Sequence, residues 1–178
     1  MSKLFNALLA MSILLMIVGC SSKVHHPQAM SESTTETVYN KKFSKVDLTV
    51  NEDATKDPND IVRFDDAKLR NMIEKKLSVS GLITEDSNYS IKIEINDIRI
   101  RSSFNAFMWG IMAGADHIKG TVMLLDENKT PFHTFDVSAM YGLGGFAGFN
   151  ETRMGWLFEE FSKLTLDEIA GKQVAKKD

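Results

Sequence analysis

Hydrophobic and polar residues alternate along four stretches of the chain, which is the period of a β-strand with one buried face. The stretches lie at about 38–50, 89–101, 117–125 and 130–141. In the second stretch the alternation keeps one phase up to Ile95 and takes the opposite phase from Ile98. One extra residue between these two accounts for the change, so we predict a β-bulge there.

The last two stretches are joined by a polar run at 126–129, which predicts a turn. Placing Leu125 opposite Thr130 gives a register in which Val122 lies beside His133 on the buried face. The alternation is consistent on both sides of the turn, so we predict an antiparallel hairpin. In this hairpin His133 is expected to be a packed histidine rather than a catalytic one.

Two segments have apolar residues three or four positions apart, the spacing that gives an α-helix one buried face. The first covers about 65–80, is capped by Asp65 or Asp66 and ends before Gly81. The second covers about 151–170. The buried faces are predicted to comprise Leu69, Met72, Ile73 and Leu77 in the first helix, and Met154, Leu157, Phe158, Phe161, Leu164 and Ile169 in the second.

The order of these elements is β-α-β-β-β-α, which predicts an α+β fold. We expect a two-layer sandwich, in which a mostly antiparallel four-stranded sheet carries two helices on one face. The helix between the first two strands makes them parallel, and the later strands alternate in direction. The chain then has a single α+β domain at 38–172 and a basic tail at 173–178.

Residues 1–19 predict a lipoprotein signal peptide rather than part of the fold. Lys3 provides a positive start, and the apolar run at 4–18 is short for a membrane-spanning helix. The run ends in the sequence IVGC at 17–20, which resembles the lipobox of bacterial lipoproteins. The resemblance implies cleavage before Cys20 and lipidation of its thiol, so that acyl chains such as palmitate anchor the protein in a membrane.

The residues after Cys20 indicate the membrane to which the protein is sent and the kind of linker that joins the anchor to the domain. In Gram-negative lipoproteins an aspartate at the next position commonly directs retention in the inner membrane, and here that position is Ser21. The lipobox resemblance therefore implies a lipid-anchored protein on the periplasmic face of the outer membrane. Residues 20–37 are polar and aperiodic, which predicts a flexible tether that enters at the start of the first strand.

The composition of the chain and its lack of catalytic motifs argue against several classes of function. The chain has a formal net charge of −3, which argues against nucleic-acid binding, and its single cysteine excludes an intrachain disulfide. We find no sequence motif of nucleophilic, metal-dependent or phosphate-binding catalysis. His25 and His26 lie in the tether, where we predict no metal site. We therefore expect no cofactor and no enzymatic activity.

Two connections contain no charged residue, although they join regular elements where polar turns are expected. They cover 102–115 and 137–150, and the predicted topology makes both leave one end of the sheet, opposite the tether. Packed inward they extend the core, whereas exposed they form an apolar surface typical of protein contacts. In the exposed alternative the candidate partner-binding residues are Phe104, Phe107, Met108, Trp109, Ile111, Met112, Tyr141, Leu143, Phe146 and Phe149.

Two functional hypotheses follow from these connections. The first is a non-enzymatic accessory protein of the cell envelope that binds a protein partner or self-associates as a homo-oligomer, with the apolar end pointing away from the anchoring membrane. The alternative is a carrier or sensor of a lipid or other apolar ligand, in which the two connections form the mouth of a pocket.

Two stretches carry a resemblance to a known family: RIRSSFNAFMWGIMAGADHIKGTVMLLDENK at 99–129 and GLGGFAG at 142–148. They resemble an uncharacterised family of bacterial lipoproteins described as a domain of unknown function. The resemblance spans about 40–172 and implies no catalytic residues. The element order is also loosely similar to periplasmic α/β modules of outer-membrane assembly factors and of lipoproteins that activate cell-wall synthases, a similarity that implies no activity.

Overall fold

The computed structural model describes residues 22–27, 41–55, 64–101, 115–142 and 150–171. Its elements, in chain order, are β1 Lys23–His25, β2 Val46–Val50, a short 3-10 helix Glu52–Ala54, α1 Asp66–Val79, β3 Ser90–Arg99, β4 Asp116–Leu125, β5 Pro131–Tyr141 and α2 Asn150–Ile169. The strands form one sheet in the order β1-β5-β4-β3-β2. The fold is therefore α+β with a mixed sheet and two helices.

The directions of the four predicted strands are confirmed. β2 and β3 are parallel, while β3, β4 and β5 are antiparallel neighbours. The register between β3 and β4 changes between Ile95 and Asp97, which is where the phase of the hydrophobic alternation predicts a bulge. The bulge keeps Ile98 on the buried face together with the isoleucines before it.

The predicted register of the β4–β5 hairpin is wrong by two residues. Leu125 pairs with Pro131 rather than Thr130, and Leu124 pairs with His133, so the register shifts beside the turn. As a result Val122 lies opposite Phe135. Because two residues is the period of a strand, every side chain keeps its predicted face, and His133 is buried as expected.

The sheet has five strands, not the four that the sequence predicts. The fifth is β1, within the predicted tether, and it pairs antiparallel with the outer edge of β5, with Val24 opposite Val137. A three-residue strand with one apolar side chain is too short to show a period in the sequence. Its position comes from main-chain pairing with an edge strand, which any extended segment can supply.

α1 begins and ends with the capping interactions that its sequence predicts. The Asp65 carboxylate accepts a hydrogen bond from the Lys68 N–H at 2.9 Å, which satisfies an N–H group of the first turn. At the other end Gly81 has a φ of +70°. The N–H groups of Gly81 and Leu82 then donate to carbonyls of the last helical turn, so the helix ends there.

The two helices pack side by side against one face of the sheet. Their apolar stripes are buried as predicted, except that Met72 is only partly buried. An ion pair joins Lys76 of α1 to Glu159 of α2 at 2.5 Å on the outer side. The hydrophobic core is thus a single layer between the sheet and the two helices. In the part of the chain described, neither helix combines the length and the hydropathy needed to cross a membrane.

Gly120 of β4 lets α2 lie close to the centre of the sheet. A Cβ atom at this position would be 2.8 Å from the Glu94 carbonyl oxygen and 3.3 Å from the Phe161 ring. The aromatic ring of Phe161 fills the space that a side chain would take, and it is completely buried. This contact positions the middle of α2 over the sheet.

Candidate functional site

The two charge-free connections leave the same end of the sheet, as the predicted topology requires. Arg99 at the end of β3 pairs with His117, and Asp116 at the start of β4 pairs with Tyr141 at the end of β5. We call this end, defined by Arg99, Asp116 and Tyr141, the apolar end. The prediction that both connections start from one place is therefore confirmed.

Most candidate residues of the two connections lie outside the described residues, and so does the lipidation candidate Cys20. The partner-binding candidates in this position are Phe104, Phe107, Met108, Trp109, Ile111, Met112, Leu143, Phe146 and Phe149. Their role, like lipidation of Cys20, stays a prediction. Tyr141 is described and belongs to the hydrophobic core, with 7% of its surface exposed.

An exposed tryptophan lies beside Tyr141. The ring of Trp156, in the second turn of α2, packs edge-on against Tyr141 with 5.2 Å between ring centroids. Trp156 nevertheless keeps 42% of its surface exposed. Trp156 is not among the partner-binding candidates predicted from the sequence, because it lies outside the apolar stripe of α2. Its position outside that stripe was the available sign that a large aromatic side chain would face solvent.

β1 brings the N-terminal segment to the apolar end. Because β1 is antiparallel to β5, Lys23 lies opposite Ser138, near the end of β5. The Ser22 hydroxyl accepts a hydrogen bond from the Met140 N–H at 3.0 Å. The expectation that the N-terminal segment enters at the opposite end of the sheet is therefore wrong for the described residues.

A buried network of ion pairs holds together the residues at which the two connections begin and end. The Asp116 carboxylate accepts a hydrogen bond from Arg101 Nε at 2.9 Å and another from Arg153 Nη1. Arg153 Nη2 also donates to the Arg101 carbonyl at 2.6 Å and to the Asn150 side chain at 2.7 Å. Asp116 and Arg153 are completely buried and Arg101 nearly so. The network thus joins both ends of the first connection to the end of the second.

The properties of these three residues suit the network to a structural role. An arginine guanidinium stays protonated in proteins, so neither Arg101 nor Arg153 can act as a general base. Asp116 is enclosed by both cations and accepts hydrogen bonds on both oxygens. The three residues therefore act as a fixed, charged clasp. The sequence pattern that could have predicted it is the pair of opposite charges that bracket the charge-free run at 102–115.

The face of the sheet opposite the helices is polar and carries its own ion pairs. Lys119 Nζ donates to Asp97 Oδ2 at 2.7 Å, and His117 Nε2 lies 3.0 Å from the same oxygen. Partial burial acts to raise the pKa of Asp97, but the contacts with Lys119 and His117 outweigh it and hold that pKa below its ordinary value. This face is therefore unlike the apolar surface expected of the two connections.

A group of metal-ligating side chains lies at the other end of the sheet. The imidazole of His26, just after β1, approaches the imidazole of His133 on β5, with 5.8 Å between ring centroids. One nitrogen of each histidine and an oxygen of Glu168, in the last turn of α2, lie within 4.8 Å of one another. The sequence predicts no metal site at His26, because the folding of β1 onto β5 is not visible in the local pattern.

Comparison with solved structures finds chains that align with most of this one at low sequence identity and with TM-scores below 0.5. A PelC dodecamer from Paraburkholderia phytofirmans is 12% identical, with 81% of this chain and 96% of that chain covered and a TM-score of 0.44. A DUF330 protein from Xanthomonas campestris is 10% identical, with 75% and 85% covered and a TM-score of 0.49. At these values the similarity identifies neither a ligand nor a partner of this chain.

No curated protein matches the chain in sequence. A family model does match, over residues 31–145, and its description is "Domain of unknown function (DUF4410)". The match includes the run RIRSSFNAFMWGIMAGADHIKGTVMLLDENK and ends inside the glycine-rich segment, before α2. It thus starts earlier and stops sooner than the resemblance over 40–172 suggests. Since the model matches well over half of the sequence, the chain belongs to the DUF4410 family.

Proposed function

We propose that this chain is a lipid-anchored accessory protein of the bacterial cell envelope, without enzymatic activity. In this proposal it is held at the periplasmic face of the outer membrane by acyl chains on Cys20. It binds a protein partner or a second copy of itself through the apolar end. The single observation that carries the proposal is Trp156, a large aromatic residue exposed to solvent beside the bases of both charge-free connections.

An exposed tryptophan next to an apolar stretch is typical of a protein interface. Tryptophan is enriched among the residues that dominate binding energy, because its large ring buries much area at a low cost in conformational entropy. Trp156 lies on a helix that the Arg153 clasp holds in place, so its position is well defined before any partner arrives. A preorganised aromatic side chain loses less entropy on binding than a mobile one.

The position of the anchor suggests where this interface works. Ser22 lies at the apolar end, and Cys20 is two residues earlier, which an extended chain spans in about 7 Å. The geometry therefore supports an orientation in which the apolar end is close to the anchoring membrane, not directed away from it. A partner or second copy would then be met at the membrane surface.

The carrier hypothesis has less support from the core. In the described residues, the layer between sheet and helices is filled by completely buried rings, including Phe135, Phe158 and Phe161. A binding cavity for a lipid would need room in that layer. We therefore place the alternative of a lipid carrier or sensor second.

The test compares variants at the apolar end with a matched control elsewhere. Trp156→Glu, and separately Trp109→Asp combined with Phe146→Asp, should abolish self-association or partner binding, because an unpaired charge buried at an interface costs several kcal/mol. Val79→Glu is the control, since Val79 is an exposed hydrophobic residue on α1, far from the apolar end. It should associate like the wild type.

Association is measured by light scattering on a chain that starts at residue 21, and folding by thermal melting of the same samples. If the apolar end is an interface, its variants should melt close to the wild-type temperature and should no longer associate. If the Trp109 and Phe146 double variant melts far below the wild type, the two connections fold into the core. Unchanged association in all variants contradicts an interface at the apolar end.

A further inference from the structure

The contacts within the group formed by His26, His133 and Glu168 are longer than direct charge-assisted hydrogen bonds. His133 Nε2 lies 3.4 Å from Glu168 Oε1, and His26 Nε2 lies 3.5 Å from the same oxygen. A charge-assisted hydrogen bond between nitrogen and oxygen is about 2.7–2.9 Å long. Two imidazoles that share one carboxylate at these longer distances leave a space between the three atoms.

The size of that space fits a tetrahedral ion. Zinc binds histidine nitrogen and carboxylate oxygen at about 2.0–2.2 Å, which sets tetrahedral ligands about 3.4 Å apart. An octahedral ion with similar bond lengths would set neighbouring ligands about 3.0 Å apart. The two nitrogen–oxygen separations, 3.4 Å and 3.5 Å, agree with the tetrahedral value, and all three ligand atoms lie within 4.8 Å of one another. Two histidines and one glutamate are also a known ligand set for zinc, with a fourth position left open.

The surroundings of the three side chains also point to a ligand. The His133 side chain is 3% exposed, yet its Nε2 atom, which faces the group, has no hydrogen-bond partner among the described residues. A buried polar atom without a partner is costly, and a metal ion at this point would satisfy it. Phe135 packs against both imidazoles, with ring centroids 5.3 Å from His133 and 6.4 Å from His26, and covers the group on one side.

We propose that His26, His133 and Glu168 bind one zinc ion. The three ligands come from different parts of the fold: His26 follows β1, His133 is in β5 and Glu168 is in the last turn of α2. Zinc therefore joins the N-terminal strand to the rest of the domain. β1 has only three residues and lies at the sheet edge, so its own pairing is weak and the metal supplies much of its attachment.

This site would control the length of the membrane tether, a consequence that rests on the lipid anchor of the proposed function. With zinc bound, the domain is held from Ser22 onward, and two residues of chain allow Cys20 a reach of at most about 7 Å from Ser22. Without zinc, β1 separates from β5, and the residues of β1 are added to the length of chain between Cys20 and the rest of the sheet. Zinc thus switches the domain between a short and a long connection to its membrane.

The experiment measures zinc binding by competition with a chromophoric chelator. It uses the full-length chain in detergent, without a polyhistidine tag and with Cys20→Ser to remove the thiol as a competing ligand. His26→Ala should weaken zinc binding at least 100-fold, because it removes one of three protein ligands. His25→Ala is the matched control, since His25 is the adjacent histidine, is exposed and points to the other face of the sheet. It should bind zinc like the parent chain.

A second measurement follows the strand itself. Hydrogen exchange of the amides at 23–26 should be slowed by zinc in the parent chain and in His25→Ala, and it should be unaffected by zinc in His26→Ala. His26 is partly exposed, so its removal leaves the core intact and a loss of folding does not confuse the result. Equal zinc affinity in the two histidine variants, or absence of zinc binding at tens of micromolar, overturns the proposal. In either case the three side chains form no metal site, and the proposed interface at the apolar end is unaffected.

Discussion

At the scale of single residues, the fold depends on one buried aspartate between two buried arginines. Asp116 is the anion of a clasp that joins β3, β4 and α2, and none of its members has access to solvent that could compensate a missing charge. A buried ion pair adds little net stability by itself, but removing one partner leaves a charge unpaired inside the protein. The clasp is therefore sensitive to change at one position.

Asp116→Asn should lower the free energy of unfolding by about 3–5 kcal/mol, because the completely buried Arg153 then loses the charge it is paired with. Urea unfolding at pH 7 measures the effect. The control is Asp47→Asn on β2, which removes an exposed ion pair with Lys45 and should cost about 0.5 kcal/mol or less. If Asp116→Asn unfolds at the same urea concentration as the control, the clasp does not stabilise the fold.

At the scale of elements, the helices show which local features the chain needs. The end of α1 requires a left-handed residue at position 81, whereas position 155 inside α2 has ordinary helical geometry. Both are glycines, and a Cβ atom at either would meet no other atom within 4 Å. The two positions therefore differ in backbone conformation and not in available space.

Alanine substitutions at these glycines should have opposite effects. Gly81→Ala should destabilise the protein by about 1 kcal/mol, because a side chain in the left-handed region is strained. Gly155→Ala should stabilise it by about 0.5–1 kcal/mol, since alanine loses less entropy than glycine in a helix. The measurement is the urea midpoint of each variant. Two shifts in the same direction would contradict the assignment of Gly81 as the end of α1.

At the scale of the whole molecule, the N-terminal segment connects the fold to the expected membrane anchor. β1 carries the chain along the outer edge of β5, so that Ser22, two residues after the proposed lipidation site, lies at the apolar end. The proposed zinc site holds the same segment at its other end. The proposed anchor, interface and metal site would thus all act through one short strand.

Cys20→Ser should remove lipidation and leave an uncleaved precursor, because no thiol is present to accept the diacylglyceryl group. Labelling with radioactive palmitate in a Gram-negative host measures this. The matched control is Ser21→Asp, which should keep the label but move the protein to the inner-membrane fraction on a density gradient. Equal label in the wild type and in Cys20→Ser would contradict the lipoprotein assignment.

The sequence by itself determined the features that depend on neighbours along the chain. Hydrophobic periods predicted four strands and both helices, and a change of phase predicted the bulge after Ile95. Asp65 and Gly81 marked the ends of α1, because caps satisfy backbone groups a few residues away. The absence of charge in two connections also marked the apolar end before its position in the sheet was known.

Tertiary structure alone decided which residues from distant parts of the chain contact one another. The pairing of β1 with β5 joins positions more than a hundred residues apart, and Asp116 meets Arg153 across 37 residues. The same folding sets His26 beside His133 and Glu168. A periodic pattern reports which face of an element is buried, but it does not report which other element covers that face. The partners of a charge or an imidazole are chosen by packing, so those groups became a clasp and a candidate zinc site only in the folded chain.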